Sequence, residues 1–219
     1  EQTPLQPQPP QTPERPEPTE KESPLDYAAK GRYIGQLFGT YILVEYEQQL
    51  YLVDKHAAHE KIRYKQIRAE VDAGICQRQT LLAPLSVTLD KAAYSAAVEH
   101  AGLFEQLGFV VEDFGSGGLL VREIPAVARL EDCPAMVEEI AAKLAENSQE
   151  LKPSLLDDIC HSVACHSAVR GNSEAPDEDL KEILRLMAED GDIRHCPHGR
   201  PVAISISRYQ IEKMFGRLG

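Results

Sequence analysis

The sequence predicts a mixed α/β (α+β) fold of two subdomains, one of them discontinuous along the chain. Near residue 32, short runs rich in β-branched and aromatic residues alternate with polar and Gly-containing turns, as strands do. A segment without Pro or Gly at 57–73 then predicts a helix. Residues 79–150 have their own strand and helix patterns, so we expect an α/β unit inserted between 31–78 and 151–219.

Residues 1–30 are predicted to be a Pro-rich linker without regular structure. Eight of the first 24 residues are Pro, and most of the others are Gln, Glu, Thr or Ser. Such a segment lacks the apolar surface needed to offset the entropy cost of ordering. Because the chain does not begin with Met, we expect the linker to tether it to an upstream domain.

Composition narrows the function classes. A net charge of -12 argues against a broad DNA-coating surface, because such surfaces neutralise phosphates with Lys and Arg. A small metal-centred contact with DNA is still compatible with this charge, since bound cations supply local positive charge. Five Cys in a chain without a signal peptide indicate reduced thiols rather than disulfides. No apolar run approaches the ~20 residues of a membrane helix, so no membrane partner is expected.

The elements can be placed from periodicity and turn signals. The first part is expected to hold three strands and a helix, at 33–38, 41–45, 50–53 and 57–73. The insertion is expected to hold, in order, an extended segment, a strand, a helix, two paired strands and a helix, at 79–84, 85–89, 91–107, 109–111, 119–124 and 134–147. The last part is expected to hold a helix capped by Ser154, a helix from 176 ended by Gly191, a loop at 196–201, a strand at 202–206 and a helix at 209–215.

The stretch from Asp54 to Glu60 is the first candidate site. Asp54 lies where a strand ends and a helix begins, and His56 and Glu60 are four apart, so they share one helix face. Two carboxylates and an imidazole at one corner of a fold are typical of a divalent-metal site. Taken alone, His56 and Glu60 would more often lie on a solvated helix face.

Further metal donors lie near the far end of the chain. Cys196 and His198 offer sulfur and nitrogen from one tight loop, and Cys165 offers sulfur from a helix, although a lone Cys there is more often core. Five or six ligands exceed one tetrahedral site and favour two neighbouring ions, which suit phosphodiester hydrolysis. Asp54, hard and anionic, is the best candidate for the catalytic ion. Four other imidazoles are expected in supporting or surface positions: His59, His161, His166 and His195.

Four motifs, in order, carry a family resemblance. They are Asp54-Lys55-His56-Ala57-Ala58-His59-Glu60, Ala164-Cys165-His166, Cys196-Pro197-His198-Gly199-Arg200-Pro201 and Phe215-Gly216-Arg217. Together with the approach strand at 36–43, they resemble the C-terminal domain of the MutL family of mismatch-repair endonucleases. The resemblance covers about residues 32–219.

The resemblance implies a homodimeric domain that nicks one strand of duplex DNA, is stimulated by Mn2+ and carries Zn2+. ATP would bind only in an N-terminal domain outside this chain. By motif match, Asp54 and Glu60 would have catalytic roles. Arg200 and Arg217 would contact phosphate or support the site. The implied metal ligands are Asp54, His56, Glu60, Cys165, Cys196 and His198. A mismatch-recognition partner of the MutS family and a bacterial cytoplasmic location at the nucleoid are also implied.

The resemblance also assigns different functions to the two subdomains. Residues 31–78 and 151–219 would carry dimerisation and the endonuclease site, with strands 33–44 and 202–206 as candidates for the interface sheet. The insertion 79–150 would be regulatory. Gln79, Leu82 and Pro84 fit the Gln-x-x-Leu-x-Pro pattern with which this family docks on the replication sliding clamp. Alternatively, Leu81 and Leu82 are simply the first core residues of the next strand.

Two positions depart from the family pattern. Lys65 occupies the place of a second Glu in the first motif, and His166 follows Cys165 where Arg or Lys is usual. Lys65 puts the role of that outer carboxylate in doubt. It leaves a second hypothesis open, a non-catalytic dimerisation and partner-docking module with a structural zinc site.

Overall fold

The computed structural model describes residues 25–147, 153–196 and 199–217. In these residues the strands are β1 (Arg32–Leu37), β2 (Tyr41–Tyr46), β3 (Gln49–Asp54), β4 (Arg78–Thr88), β5 (Val110–Gly115), β6 (Gly118–Pro125) and β7 (Ala203–Ser207). The helices are α1 (Asp26–Lys30), α2 (Lys55–Ala73), α3 (Lys91–Glu99), α4 (Ala101–Gln106), α5 (Cys133–Glu146), α6 (Pro153–Ser167), α7 (Asp177–Glu189) and α8 (Arg208–Met214), with a 3-10 turn at Leu130–Asp132. None of these helices is long and apolar enough to cross a membrane. The α+β class predicted from the sequence is confirmed.

The first sheet joins the two ends of the folded chain. Its strands are antiparallel in the order β1-β2-β3-β7. β7 pairs with β3, so that Ala203 lies opposite Val53 and Ser207 opposite Gln49. The last strand in sequence therefore lies beside the strand that ends at Asp54.

The two faces of this sheet differ in burial. On the inner face, Ile42, Val44 and Val53 are fully buried in a core that includes residues of α1, α2 and α7. The outer face carries the cross-strand neighbours Leu43, Leu52 and Ile204. Ile204 remains 57 % exposed. The outer face is thus apolar and partly open to solvent.

The insertion forms a second antiparallel sheet, in the order β4-β6-β5, covered by helices. Its core is not closed by residues 79–150 alone. Ile67 of α2 and Ile159 and Val163 of α6 are buried in the same cluster as Phe104 and Ile140 of the insertion. The predicted boundaries divide the chain at the two ends of 79–150. In the structure, α6 lies outside this range in sequence but contributes side chains to the core of the insertion.

One correction concerns the predicted linker. Its first 24 residues lie outside the described residues, but Asp26–Lys30 forms helix α1 inside the predicted range of 1–30. Leu25 and Tyr27 are 3 % and 5 % exposed, and the Tyr27 ring stacks on Tyr51 with centroids 4.2 Å apart. The Pro-rich composition predicted that the entropy cost of ordering would leave this segment without structure. Burial of these side chains offsets that cost.

Other differences are local. The predicted helix at 91–107 is two helices that break at His100, where Gly102 lowers the helix propensity of the following turn. The extended segment at 79–84 and the strand at 85–89 form one strand, β4, with a register shift between Thr80 and Leu85. α6 begins at Pro153, one residue before the predicted cap Ser154.

Candidate functional site

Asp54 is fixed by contacts from both ends of the chain. Its Oδ1 atom accepts hydrogen bonds from the backbone N–H groups of His56 and Ala57, both at 3.0 Å, so it is the N-cap of α2. Its own backbone N–H donates to the carbonyl of Val202, 2.8 Å away, just before β7. One carboxylate oxygen therefore accepts from two free N–H groups at the N-terminus of α2. The backbone of Asp54 is also hydrogen-bonded to the segment that follows Arg200.

His56 is held by the loop after α6. Its Nδ1 atom lies 2.9 Å from the carbonyl oxygen of Val169. Because a carbonyl only accepts, Nδ1 carries the proton and the lone pair of a neutral ring lies on Nε2. Metal-binding histidines commonly have their second nitrogen held in this way. The geometry thus suits a ligand that coordinates through Nε2.

His59 holds the other side of the same peptide unit. The Val169 N–H donates to His59 Nδ1 at 3.0 Å. Burial, followed by the charge of Arg63, lowers the pKa of His59 to about 4. His59 is therefore neutral at physiological pH and accepts this hydrogen bond; the supporting role that the sequence analysis gave it stays a prediction.

Glu60 and Cys165 meet between α2 and α6. Glu60 is 1 % exposed, whereas Cys165 is exposed on the surface of α6. Partial burial raises the pKa of the Cys165 thiol, and the charges of Glu60 and Glu139 and a hydrogen bond with Glu60 raise it further. A thiol and a carboxylate more than a hundred positions apart in the sequence thus interact electrostatically.

Cys196 and Arg200 form a tight loop. The N–H of Cys196 donates to the carbonyl of Arg200 at 2.8 Å, and the N–H of Gly199 donates to the carbonyl of Cys196 at 2.9 Å. Gly199 has a φ of 80°, which favours Gly at this turn. Contact with the Cys196 sulfur raises the pKa of Arg200, and the carboxylates of Asp54 and Glu60 raise it further. The Arg200 guanidinium is therefore within electrostatic reach of the carboxylates of Asp54 and Glu60.

A depression of about 290 Å³ lies where these segments meet. Asp54 and Arg200 give it polar groups, and Leu52 and Ile204 of the outer sheet face form its apolar wall. A carboxylate and a guanidinium beside an open depression can bind a phosphodiester and a cation together.

Donor chemistry in this region fits metal binding, but the described donors do not complete a site. Sulfur from Cys165 and Cys196, nitrogen from His56 and oxygen from Glu60 are the donors that zinc takes in proteins. Among the described residues, however, no three His, Cys, Asp or Glu side chains are arranged to hold an ion. His198 lies outside the described residues, so the predicted ligand set stays a prediction.

Arg217 is not brought to this region by any contact in the described residues. β7 runs away from Asp54, and Arg208 at the start of α8 donates its backbone N–H to Gln48, at the opposite end of β3. The Arg217 guanidinium lies over the Phe215 ring, 5.5 Å from its centroid. Its predicted role in the site remains a prediction.

Two lysines near the site carry structural contacts that the sequence analysis did not anticipate. Lys55 is fully buried, and its Nζ donates to the carbonyl of Ser173. Lys65, in place of the family's outer Glu, pairs with Asp190 at 2.7 Å and Asp192 at 3.3 Å. A Lys in a helix usually lies in solvent, so the sequence contained no signal for the burial of Lys55.

The candidate clamp-docking strip, Gln79–Pro84, has two kinds of residue. The Gln79 amide donates to the carbonyls of Ala128 at 2.7 Å and Pro125 at 3.3 Å. Leu81 packs against the core of the insertion, whereas the Leu82 side chain is fully exposed. The interpretation that both leucines are core residues is therefore wrong for Leu82.

Comparison with known proteins gives the class of this domain. The family model described as the MutL C terminal dimerisation domain matches residues 34–175, more than half of the chain. Fold and match together define a dimerisation domain of a DNA mismatch repair protein. The chain belongs to the MutL family.

Several relatives cover most of the chain. The DNA mismatch repair protein MutL of Caulobacter vibrioides is 38% identical over 195 residues, which are 89% of this chain and 30% of that protein. MutL of Paramagnetospirillum magneticum is 37% identical over 198 residues, 90% of this chain and 32% of that protein. MutL of Trichlorobacter lovleyi is 33% identical over 201 residues, 91% of this chain and 34% of that protein. The chain thus spans about a third of the length of these relatives.

Proposed function

We propose that this domain is a metal-dependent endonuclease that nicks one strand of duplex DNA in mismatch repair. The observation that carries the proposal is that Asp54 and Arg200, from opposite ends of the folded chain, line one depression, and that, beside the contact with Cys196, the carboxylates of Asp54 and Glu60 both raise the pKa of Arg200. A carboxylate and a guanidinium beside an open depression support binding of a phosphodiester together with a divalent cation.

Each residue has a proposed task. Zn2+ would be held by Cys165, Cys196 and His198 with His56 and Glu60, and Mn2+ by Asp54 with Glu60; when bound, the ions would activate water and stabilise charge on the phosphate. Arg200 would bind a non-bridging phosphate oxygen through its fork of N–H donors. Arg217 would contact the phosphate backbone. Asp54 keeps one oxygen on the helix N-terminus, which leaves the second for its catalytic role.

The test is nicking of supercoiled plasmid by this chain joined to the N-terminal ATP-binding domain that the family resemblance implies. Asp54→Asn should abolish Mn2+-dependent nicking and still cap α2, because Asn is as good an N-cap as Asp. Asp90→Asn is the matched control, since Asp90 caps α3 with hydrogen bonds of 2.8 and 2.9 Å to two backbone N–H groups. Full nicking activity in Asp54→Asn would rule out the catalytic assignment.

We further propose that the outer face of the first sheet forms the homodimer interface. Leu43, Leu52 and Ile204 share this face, and Ile204 remains exposed. Ile204→Asp should therefore shift the chain from dimer to monomer in light scattering. Phe114→Asp is the control, because Phe114 is an apolar side chain of the insertion that is 66 % exposed. A dimer that persists in Ile204→Asp would show that this face is not the homodimer interface.

Partner docking is proposed for the insertion. The fully exposed Leu82 would insert into a pocket of the replication sliding clamp, with Gln79 and Pro84 on either side. A MutS-family protein would direct the longer protein to the mismatch, in the cytoplasm at the nucleoid. These partners come from the family resemblance, and the exposure of Leu82 supports the first of them.

A second candidate function is a dimerisation and docking module whose zinc is only structural. The observation that favours it is Lys65, which carries an ammonium group paired with Asp190 and Asp192 where the family usually has a carboxylate. Structural zinc should resist mild chelation and have no open coordination position. Zinc that stays bound under mild chelation, together with no nicking under any divalent metal, would favour this function.

A further inference from the structure

The Val169 peptide unit is held on one side by the helix that carries the candidate site. His56 Nδ1–H donates to its carbonyl at 2.9 Å, and its N–H donates to His59 Nδ1 at 3.0 Å. The orientation of the His56 ring therefore depends on where the backbone of Val169 lies. Val169 is in the loop after α6, so its position has to be fixed by something other than a helix.

On the other side, the insertion holds the two residues that flank Val169. The Arg129 guanidinium donates to the carbonyl of Ala168 at 3.4 Å and contacts Asp132 Oδ2 at 2.9 Å. Arg170 contacts Asp132 Oδ1 at 2.7 Å. Each oxygen of the Asp132 carboxylate thus holds one arginine, and the two arginines fix the chain before and after Val169.

Asp132 is the group on which both arginines converge. Its side chain is 13% exposed, whereas that of the neighbouring Glu131 is 64% exposed and lies 3.8 Å from Arg129 and 3.4 Å from Arg170. Burial acts to raise the pKa of Asp132, but the hydrogen bonds from Arg170 and Arg129 outweigh it, and the pKa lies below its usual value. Short, partly buried charge-assisted hydrogen bonds hold geometry better than long, solvated ones.

We propose that Asp132 of the insertion is a positioning residue for His56. By holding Arg129 and Arg170, it fixes the Val169 carbonyl, which keeps the proton of His56 on Nδ1 and directs Nε2 towards a metal. This inference rests on the proposed metal site for its purpose, but the tautomer that it predicts exists in the metal-free chain. It also places the control of the site in a subdomain that contributes none of the proposed ligands.

The first test reads the tautomer of His56 directly. In the metal-free chain with 15N-labelled His at pH 7.5, ring 15N shifts should show His56 protonated at Nδ1, with the signal assigned by its loss in His56→Gln. Asp132→Ala should move this signal towards a mixture of tautomers, whereas Glu131→Ala should leave it unchanged. An unchanged Nδ1–H tautomer in Asp132→Ala would overturn the proposal.

The second test reads zinc affinity by competition with a chromophoric chelator. Loss of a group that orients a ligand typically lowers affinity about 10- to 100-fold, so Asp132→Ala should weaken zinc by a factor in this range and Glu131→Ala by less than about twofold. If Asp132→Ala does not fold, Arg170→Gln, which loosens one flank alone, should give the same tautomer change in a folded chain. If the wild-type chain binds no zinc, the proposed function fails, while the tautomer of His56 still decides this inference.

Discussion

Lys65 Nζ and Asp190 Oδ1 lie 2.7 Å apart and join α2 to the turn after α7. Asp192 lies 3.3 Å from the same ammonium. Although burial acts to lower the pKa of Lys65, hydrogen bonds to Asp190 and Asp192 outweigh it, and the pKa is raised. The turn leads directly to Cys196, so Lys65 stabilises the approach to one half of the candidate site.

We predict that Lys65→Glu, which restores the carboxylate usual in the family, destabilises the domain. Three carboxylates would then lie close together, one on α2 and two in the turn after α7. Because the lysine is about one-third exposed, we expect a loss of about 1 kcal/mol in the free energy of unfolding, measured with urea at pH 7.5. Combining Lys65→Glu with Asp190→Lys should recover most of the loss. Equal stability of Lys65→Glu and wild type would show that the pair contributes nothing.

Buried Lys55 leads to a second prediction. Lys55→Met keeps the length of the side chain and removes its charge, and the carbonyl of Ser173 still accepts from the Gln36 amide at 3.1 Å. We therefore expect Lys55→Met to change the free energy of unfolding by less than about 1 kcal/mol. Lys55→Glu should lower it by about 3 kcal/mol or more, because it buries a carboxylate beside Asp54. Similar losses for the two variants would show that packing, and not charge, determines how residue 55 contributes to stability.

Where the sequence predicted structure well, local physics decides the outcome. Helices were predicted at 57–73 and from residue 91, and in the structure Asp54 and Asp90 cap α2 and α3 there, because a short carboxylate can accept from the free N–H groups of the next turn. The strand patterns at 41–45 and 50–53 mark β2 and β3, because their alternating apolar residues face one core. Motif order also predicts Glu60 and Cys165 to be parts of one site, and this assignment stays a prediction, although partial burial and the charge of Glu60 raise the pKa of the Cys165 thiol.

Where sequence reasoning fell short, the deciding contacts are tertiary. Nothing near Tyr27 signals that Tyr51 will stack on it, so α1 was assigned to the linker. The peptide unit of Val169 holds two histidines through its backbone, and a backbone contact has no side-chain signature in the sequence. Asp132 bonds two arginines, one of them far along the chain, and only the fold brings them together.

The candidate docking strip gives a third prediction, because its residues differ in structural cost. Leu82→Ala should change the free energy of unfolding by less than about 0.5 kcal/mol, since Leu82 is fully exposed. Gln79→Ala should lower it by about 1–2 kcal/mol, since the Ala128 carbonyl loses its donor. Both variants should weaken binding to the sliding clamp, measured by surface plasmon resonance.

Leu130→Ala is the control for the strip. Leu130 is another apolar side chain of the insertion, 54 % exposed, outside Gln79–Pro84. It should bind the clamp like wild type. If Leu82→Ala also binds like wild type, the strip is not the docking site, whatever the stability of Gln79→Ala.

The fourth prediction is that protonation of His59 makes the metal-free chain less stable in mild acid. Burial and the charge of Arg63 lower the pKa of His59 from 6.5 to about 4. Between these values the unfolded chain binds a proton that the folded chain does not, so this contribution to stability is complete above pH 6.5 and is lost as the pH falls towards 4. The shift corresponds to at most about 3 kcal/mol.

His59→Asn keeps an acceptor for the Val169 N–H and cannot take up a proton. Urea unfolding of this variant from pH 7.5 to 4.5 should therefore show a shallower loss of stability than wild type. Parallel curves for the two proteins would mean that His59 does not remain neutral in the folded chain.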